Sequence, residues 1–200
     1  ILIPPKKMWF YICDYIIILL SLKILHYSFV FLHNTIFFDF GRYFMEKNQY
    51  EIYHENKKHT PNDFPYNTYL CSIPLDFKSV NLHWHNEVEL IVIKKGQGLV
   101  NVNLVTYTVN AGDVVFVFPG QLHSISQKDY SIMEYENILF KSSLLKSSGY
   151  DLCNDKFIQP LLSGNLNIYP VINSNFDFHD SLYSLINEID KLCDKRPYAY

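Results

Sequence analysis

The densest run of reactive side chains is His83-Trp84-His85 followed by Glu89, with His123 farther on behind Pro119-Gly120. Alternate residues of an extended strand share a face, so His83 and His85 point one way and Trp84 the other. Glu89 returns to the histidine face if the strand runs on. His123, at the head of a later strand, would enter the same cavity from the opposite wall. Three imidazoles and a carboxylate suit a mid-hardness divalent metal such as Fe, Mn, Zn, Ni or Cu. The same groups can hydrogen-bond the hydroxyls or carboxylates of a small polar molecule. A lone His-x-His would signify little, because histidine is often merely satisfied by its neighbours. Four ligand-type residues at compatible spacing within a series of strands point to a functional pocket.

The elements that must position these residues are short strands divided by turns. Tyr69–Leu75 is the first, and Glu87–Lys94 ends at Gly96-Gln97-Gly98. Leu99–Val102 and Val105–Val109 flank a turn at Asn103-Leu104. Val114–Phe118, Leu122–Ile125 and Ser131–Phe140 follow, separated by Ala111-Gly112-Asp113 and Pro119-Gly120. Many short strands with Gly, Asn, Asp and Pro between them predict an all-β sandwich or barrel. Past Phe140 the pattern turns helical at Ser142–Ser147 and Asp155–Leu162, with Leu166–Ile172 as one more strand. Asp180–Cys193 then places Leu182, Leu185, Ile186, Ile189, Leu192 and Cys193 on one apolar stripe. That stripe would face the barrel, a second subunit, or both.

The rest of the chain bounds the function. A formal net charge of −3 supplies no Lys/Arg-rich face for phosphate. Cys13, Cys71, Cys153 and Cys193 match no zinc or redox spacing and read as reduced thiols of a cytoplasmic protein. Residues 1–44 are dense in Phe, Ile, Leu and Tyr, and three readings stand. They are upstream sequence read in frame ahead of Met45, a membrane helix, or a signal peptide. The apolar run Trp9–Leu22 falls short of the ~20 residues a span needs, and it carries Asp14. No small-residue cleavage site follows it. The first reading is favoured, so membrane association enters only if this segment is native. Residues 45–68 form a polar arm, 69–140 the barrel, and 141–200 a helical linker and dimerisation region, cut at Tyr200 where a new element would start.

His83-x-His85-x3-Glu89-x6-Gly96 resembles the first motif of the cupin superfamily, and Gly112-Asp113-x6-Gly120-x2-His123, with Pro119 before Gly120, resembles the second. Phe77 stands where the first motif usually has glycine, and the proline of the second falls one place late at Pro119. The resemblance implies a small barrel of the cupin, jelly-roll or double-stranded β-helix type, followed by α-helical linker segments. In metal-binding cupins the counterparts of His83, His85, Glu89 and His123 are the ligands. The run His83–Gly98, with Tyr107, Gly112-Asp113 and Pro119–His123, more closely resembles the sensory domain of AraC-type transcriptional regulators. That resemblance implies a small-molecule effector in the barrel, a homodimer, and DNA contact through a carboxy-terminal module outside these 200 residues. It requires no cofactor, although the residue set admits a divalent metal. The rival expectation is a metal-dependent cupin enzyme such as a dioxygenase, isomerase or decarboxylase.

Overall fold

The computed structural model describes residues 47–61, 65–145, 151–166 and 168–194. The readings attached to residues 1–44 lie outside the described residues. A short helix α1 (Lys47–Glu51) precedes eight strands: β1 (Tyr66–Ile73), β2 (Ser79–His83), β3 (Glu87–Val102), β4 (Val105–Asn110), β5 (Val114–Val117), β6 (His123–Gln127), β7 (Met133–Lys141) and β8 (Val171–Ile172). A widened helical turn, Asn154–Ile158, leads into α2 (Gln159–Leu162), and the long helix α3 (His179–Asp194) follows β8. Among the described residues no helix is long and apolar enough to cross a membrane.

All strand pairs are antiparallel and β3 organises them. Its first half pairs with β7 and β5, in a sheet ordered β1-β7-β3-β5-β8, while its second half pairs with β4 and β6, with β2 beyond β6. The sequence predicted two strands here, broken at Gly96-Gln97-Gly98. The chain instead runs straight on, because Gly96 acts as a bend rather than a stop. Its φ is +74°, and a Cβ there would lie 1.8 Å from the Ile132 carbonyl oxygen. The ladder with β7 shifts register between Ile93 and Lys95, next to this point. Glycine thus lets one strand cross from one sheet to the other.

The weak alternation of the β3 sequence has a direct cause, since both of its faces are buried. Val88, Leu90 and Val92 face outward into a core shared with Phe116, Ile138 and Phe140 and with Leu182, Ile186 and Ile189 of α3. Ile91 and Ile93 face inward, with Val100, Val115, Ile125 and Met133. Glu89 has the parity of Ile91 and Ile93, so it projects into the barrel.

Part of the apolar stripe of α3 therefore packs on its own barrel. Leu182, Ile186 and Ile189 are buried there and Leu185 is half-buried. Polar contacts fix the same docking. Lys94 reaches Glu136 at 2.7 Å and Asp190 at 3.1 Å, and His179 Nε2 donates to the Gly112 carbonyl at 2.8 Å. Truncating the fully buried Ile186 to alanine is expected to cost about 2–5 kcal/mol. Urea unfolding followed by circular dichroism measures it, and a change below 1 kcal/mol would show that α3 is not part of the cooperative unit.

Candidate functional site

His83 closes β2 and His123 opens β6, and the two residues are cross-strand partners. His123 also pairs with Val102 of β3. His83 and His123 thus stand side by side on one wall, their ring centroids 4.1 Å apart, rather than on opposite walls as the sequence suggested. The reason is topological: β6 returns to lie between β2 and the second half of β3. His85 sits just beyond β2, its carbonyl accepting the Gly120 N–H at 2.9 Å, and its ring centroid is 4.9 Å from that of His123. Glu89 does not arrive by a continued strand. The chain bends at Asn86, and β3 then presents Glu89 from the neighbouring sheet.

One imidazole nitrogen from each of His83, His85 and His123 lies within 4.8 Å of the other two. Glu89 joins two of the three. His85 Nε2–H donates to Glu89 Oε2 at 3.0 Å, and His123 Nε2 lies 2.9 Å from the same oxygen, in ion-pair range but without the alignment of a hydrogen bond. His83 Nδ1–H donates to the Asn81 carbonyl at 2.8 Å and His123 Nδ1–H to the Gln121 carbonyl at 2.9 Å. Each bond fixes the ring and leaves Nε2 for the cavity, the arrangement seen when a second partner orients a metal-binding histidine. The third ring has a matching neighbour, for the buried and unpartnered His85 Nδ1 lies 3.7 Å from Glu87. The three clustered histidines and the unpartnered His123 Nε2 therefore fit a divalent cation.

Burial by itself would push the Glu89 carboxyl up, but His123 and His85 outweigh it and hold it far below the usual carboxylate range. Burial pushes His123 down, and Glu89 more than reverses this, so His123 titrates above the ordinary histidine value. Burial and the neighbouring His123 charge hold His83 below it. In the metal-free protein the His123 contribution to stability is complete below about pH 6.5 and is lost as pH rises through its raised folded value. Glu89 contributes above about pH 4.3 and loses its contribution as pH falls toward its depressed value. His83 runs opposite to His123, so the His123 part is read by difference. The melting temperature of the native protein minus that of His123→Gln should shrink as pH rises above 6.5. A constant difference would contradict the pairing.

His83, His85 and Glu89 line a pocket of about 310 Å³, whereas His123 touches Glu89 without lining it. Val80, Ile125, Leu139 and the half-exposed Phe77 give it apolar walls, and Tyr69, Cys71, Tyr135 and Asn137 line it beside them. Asn137 Oδ1 is buried without a partner. The sequence reading missed the contribution of the arm, which brings Glu55, Lys57 and His59 to the same pocket. Glu55 accepts from His59 Nε2 at 2.8 Å and lies 3.6 Å from His83 Nε2. The available signal was the Glu55-x3-His59 spacing of ligand-type residues just upstream of the barrel. Trp84, on the face opposite the histidines, anchors this arm. It stacks on Tyr50, packs on His54, and donates through Nε1 to the Tyr50 carbonyl at 3.0 Å, while the Tyr50 hydroxyl donates to the Gly120 carbonyl.

The family model for the AraC-like ligand binding domain matches residues 76–164. The Bacillus subtilis HTH-type transcriptional regulator YdeC, itself uncharacterised, is 22% identical over 147 residues, which make up 73% of this chain and 50% of that protein. The chain thus spans about half the length of the curated relative it matches. Two cupin structures are similar over smaller parts. One, from Bacteroides fragilis, is 21% identical over 45% of this chain and 75% of its own, with a TM-score of 0.38. The other, from Salinispora arenicola, is 20% identical over 40% of this chain and 67% of its own, with a TM-score of 0.36. Residues 76–164 thus match the AraC-like ligand-binding domains, and they carry their histidines on an antiparallel barrel.

Proposed function

We propose that this chain is the ligand-sensing part of an AraC-type transcriptional regulator, binding a small polar effector in the barrel through His83, His85, Glu89 and His123. The observation that carries the reading is the 310 Å³ pocket, which joins this buried polar centre to groups supplied by a separate arm. A ligand there touches both barrel and arm, so its affinity for one arm position over another would shift the balance between them. Lys57 at the rim and the partnerless Asn137 Oδ1 suit a ligand bearing both hydrogen-bond acceptors and donors. A divalent cation held by the three histidines and Glu89 would supply a Lewis-acidic charge for the oxygens of such a ligand. The chain's own groups hold, orient and desolvate it in either case.

DNA contact is assigned to a separate helix-turn-helix module, as in the regulator it resembles, since this chain has no basic footprint. The homodimer rests on the family likeness and the cytoplasmic location on the cysteine spacing, and sedimentation velocity tests the former. A second reading, a cation-dependent cupin enzyme, is favoured by one observation, the cluster of three histidines with Glu89 2.9 Å from His123. Mass spectrometry of small molecules retained by the chain on gentle purification separates the two. A sensor returns the bound molecule unchanged after prolonged incubation with Mn, Fe, Ni or Zn ions. Conversion to product would establish the enzyme instead.

A further inference from the structure

The arm touches the centre at a position that the cupin motifs leave unassigned. Among the three clustered histidines, Glu89 meets His85 and His123, whereas the carboxylate facing His83 Nε2 is Glu55, at 3.6 Å. Glu55 is part-buried, and its carboxylate also accepts from His59. Its backbone is tied to the histidine segment itself. The Glu55 N–H donates to the Trp84 carbonyl at 2.9 Å, and the Trp84 N–H donates to the Tyr53 carbonyl at 3.0 Å. The residue between the two histidines therefore carries the arm on its backbone while its neighbours carry the centre on their side chains. Charge permits the same role: Glu55 and Glu89 each face the Nε2 atom of a clustered histidine, while Glu87 lies 3.7 Å from Nδ1 of His85.

We propose that Glu55 is a further ligand of a divalent cation held at His83, His85, Glu89 and His123, so that cation occupancy and docking of the arm strengthen each other. This rests on the reading that the centre takes a cation. Thermodynamic linkage makes the effect reciprocal: whatever Glu55 adds to cation affinity, the cation adds to arm docking. The contact belongs to the arm, so the barrel motifs could be present in full without it.

The experiment uses the full chain with Zn²⁺ or Co²⁺ alone as probe. Calorimetric titration gives cation affinity, and hydrogen exchange at the Glu55 and Trp84 amides reports arm docking. The native chain is expected to bind one ion and to show slower exchange at both amides when it does. Glu55→Gln, matched in shape, should weaken the ion by roughly 10–100-fold and lose the exchange response, while its ion-free melting temperature shows that it is folded. His123→Ala should not bind the ion at all. Glu55→Gln binding with native affinity and a native exchange response would overturn the role of Glu55 and leave the cation centre standing. A native chain that binds neither ion would overturn the centre, and this proposal with it.

Discussion

Replacing Glu89 with alanine is expected to cost about 2–4 kcal/mol at pH 6, because it removes the carboxylate that holds the His123 proton, leaves His85 Nε2–H without its acceptor and opens a cavity in the barrel. Glu89 and His123 are buried, at 3% and 1% exposure, so neither water nor salt can compensate. At pH 8 the cost should be smaller, since the native pair contributes less stability as pH rises through the raised His123 value. Glu89→Gln keeps the volume and one acceptor oxygen, and should fall between native and alanine. Urea unfolding at the two pH values checks this. Equal stability of native and Glu89→Ala proteins at pH 6 would mean that the carboxylate and His123 do not form a pair.

The second large effect belongs to the backbone. Gly96→Ala adds a methyl group that would meet the Ile132 carbonyl at 1.8 Å, and it does so at a φ of +74° that L-residues resist. The strain alone is worth about 1–2 kcal/mol, and relieving the overlap requires parting the β3–β7 ladder, so a total of roughly 3 kcal/mol or more is expected. Gly112→Ala is the control. It has a φ of +94° and no atom within 4 Å of the added carbon, so it pays the conformational term without the collision. Thermal melts of the two variants should differ clearly, and equal losses would place the close approach at Gly96 in error.

These residues also show what a sequence can and cannot disclose. The two-residue period made His83 and His85 neighbours on one face, and the motif intervals brought in Glu89 and His123; these are local properties that survive folding. Which wall each residue occupies was not local. His123 lies beside His83 because β6 inserts between β2 and β3, an outcome of pairing between distant segments. Gly96 carried the same signal whether it ended a strand or let one turn a corner. The stripe on α3 announced an apolar face without naming its partner, and the barrel core takes Leu182, Ile186 and Ile189 of it. Glu55 and His59 were hardest to read, because an arm docks through Trp84 and a few backbone bonds that leave no periodic trace.

The central claim, that the histidine-carboxylate pocket is where this domain senses a ligand, is tested most directly by differential scanning calorimetry of the native and His85→Ala/His123→Ala proteins. The scan runs across small polyhydroxy and carboxylate compounds, each with and without a divalent cation. A ligand at about 100 times its Kd stabilises by roughly 2.7 kcal/mol, or about 5–10 °C for a chain of this size. A shift of that order is expected for the native protein with at least one such compound, and none for the double variant. A compound that shifts both proteins equally would place the binding site elsewhere and contradict it.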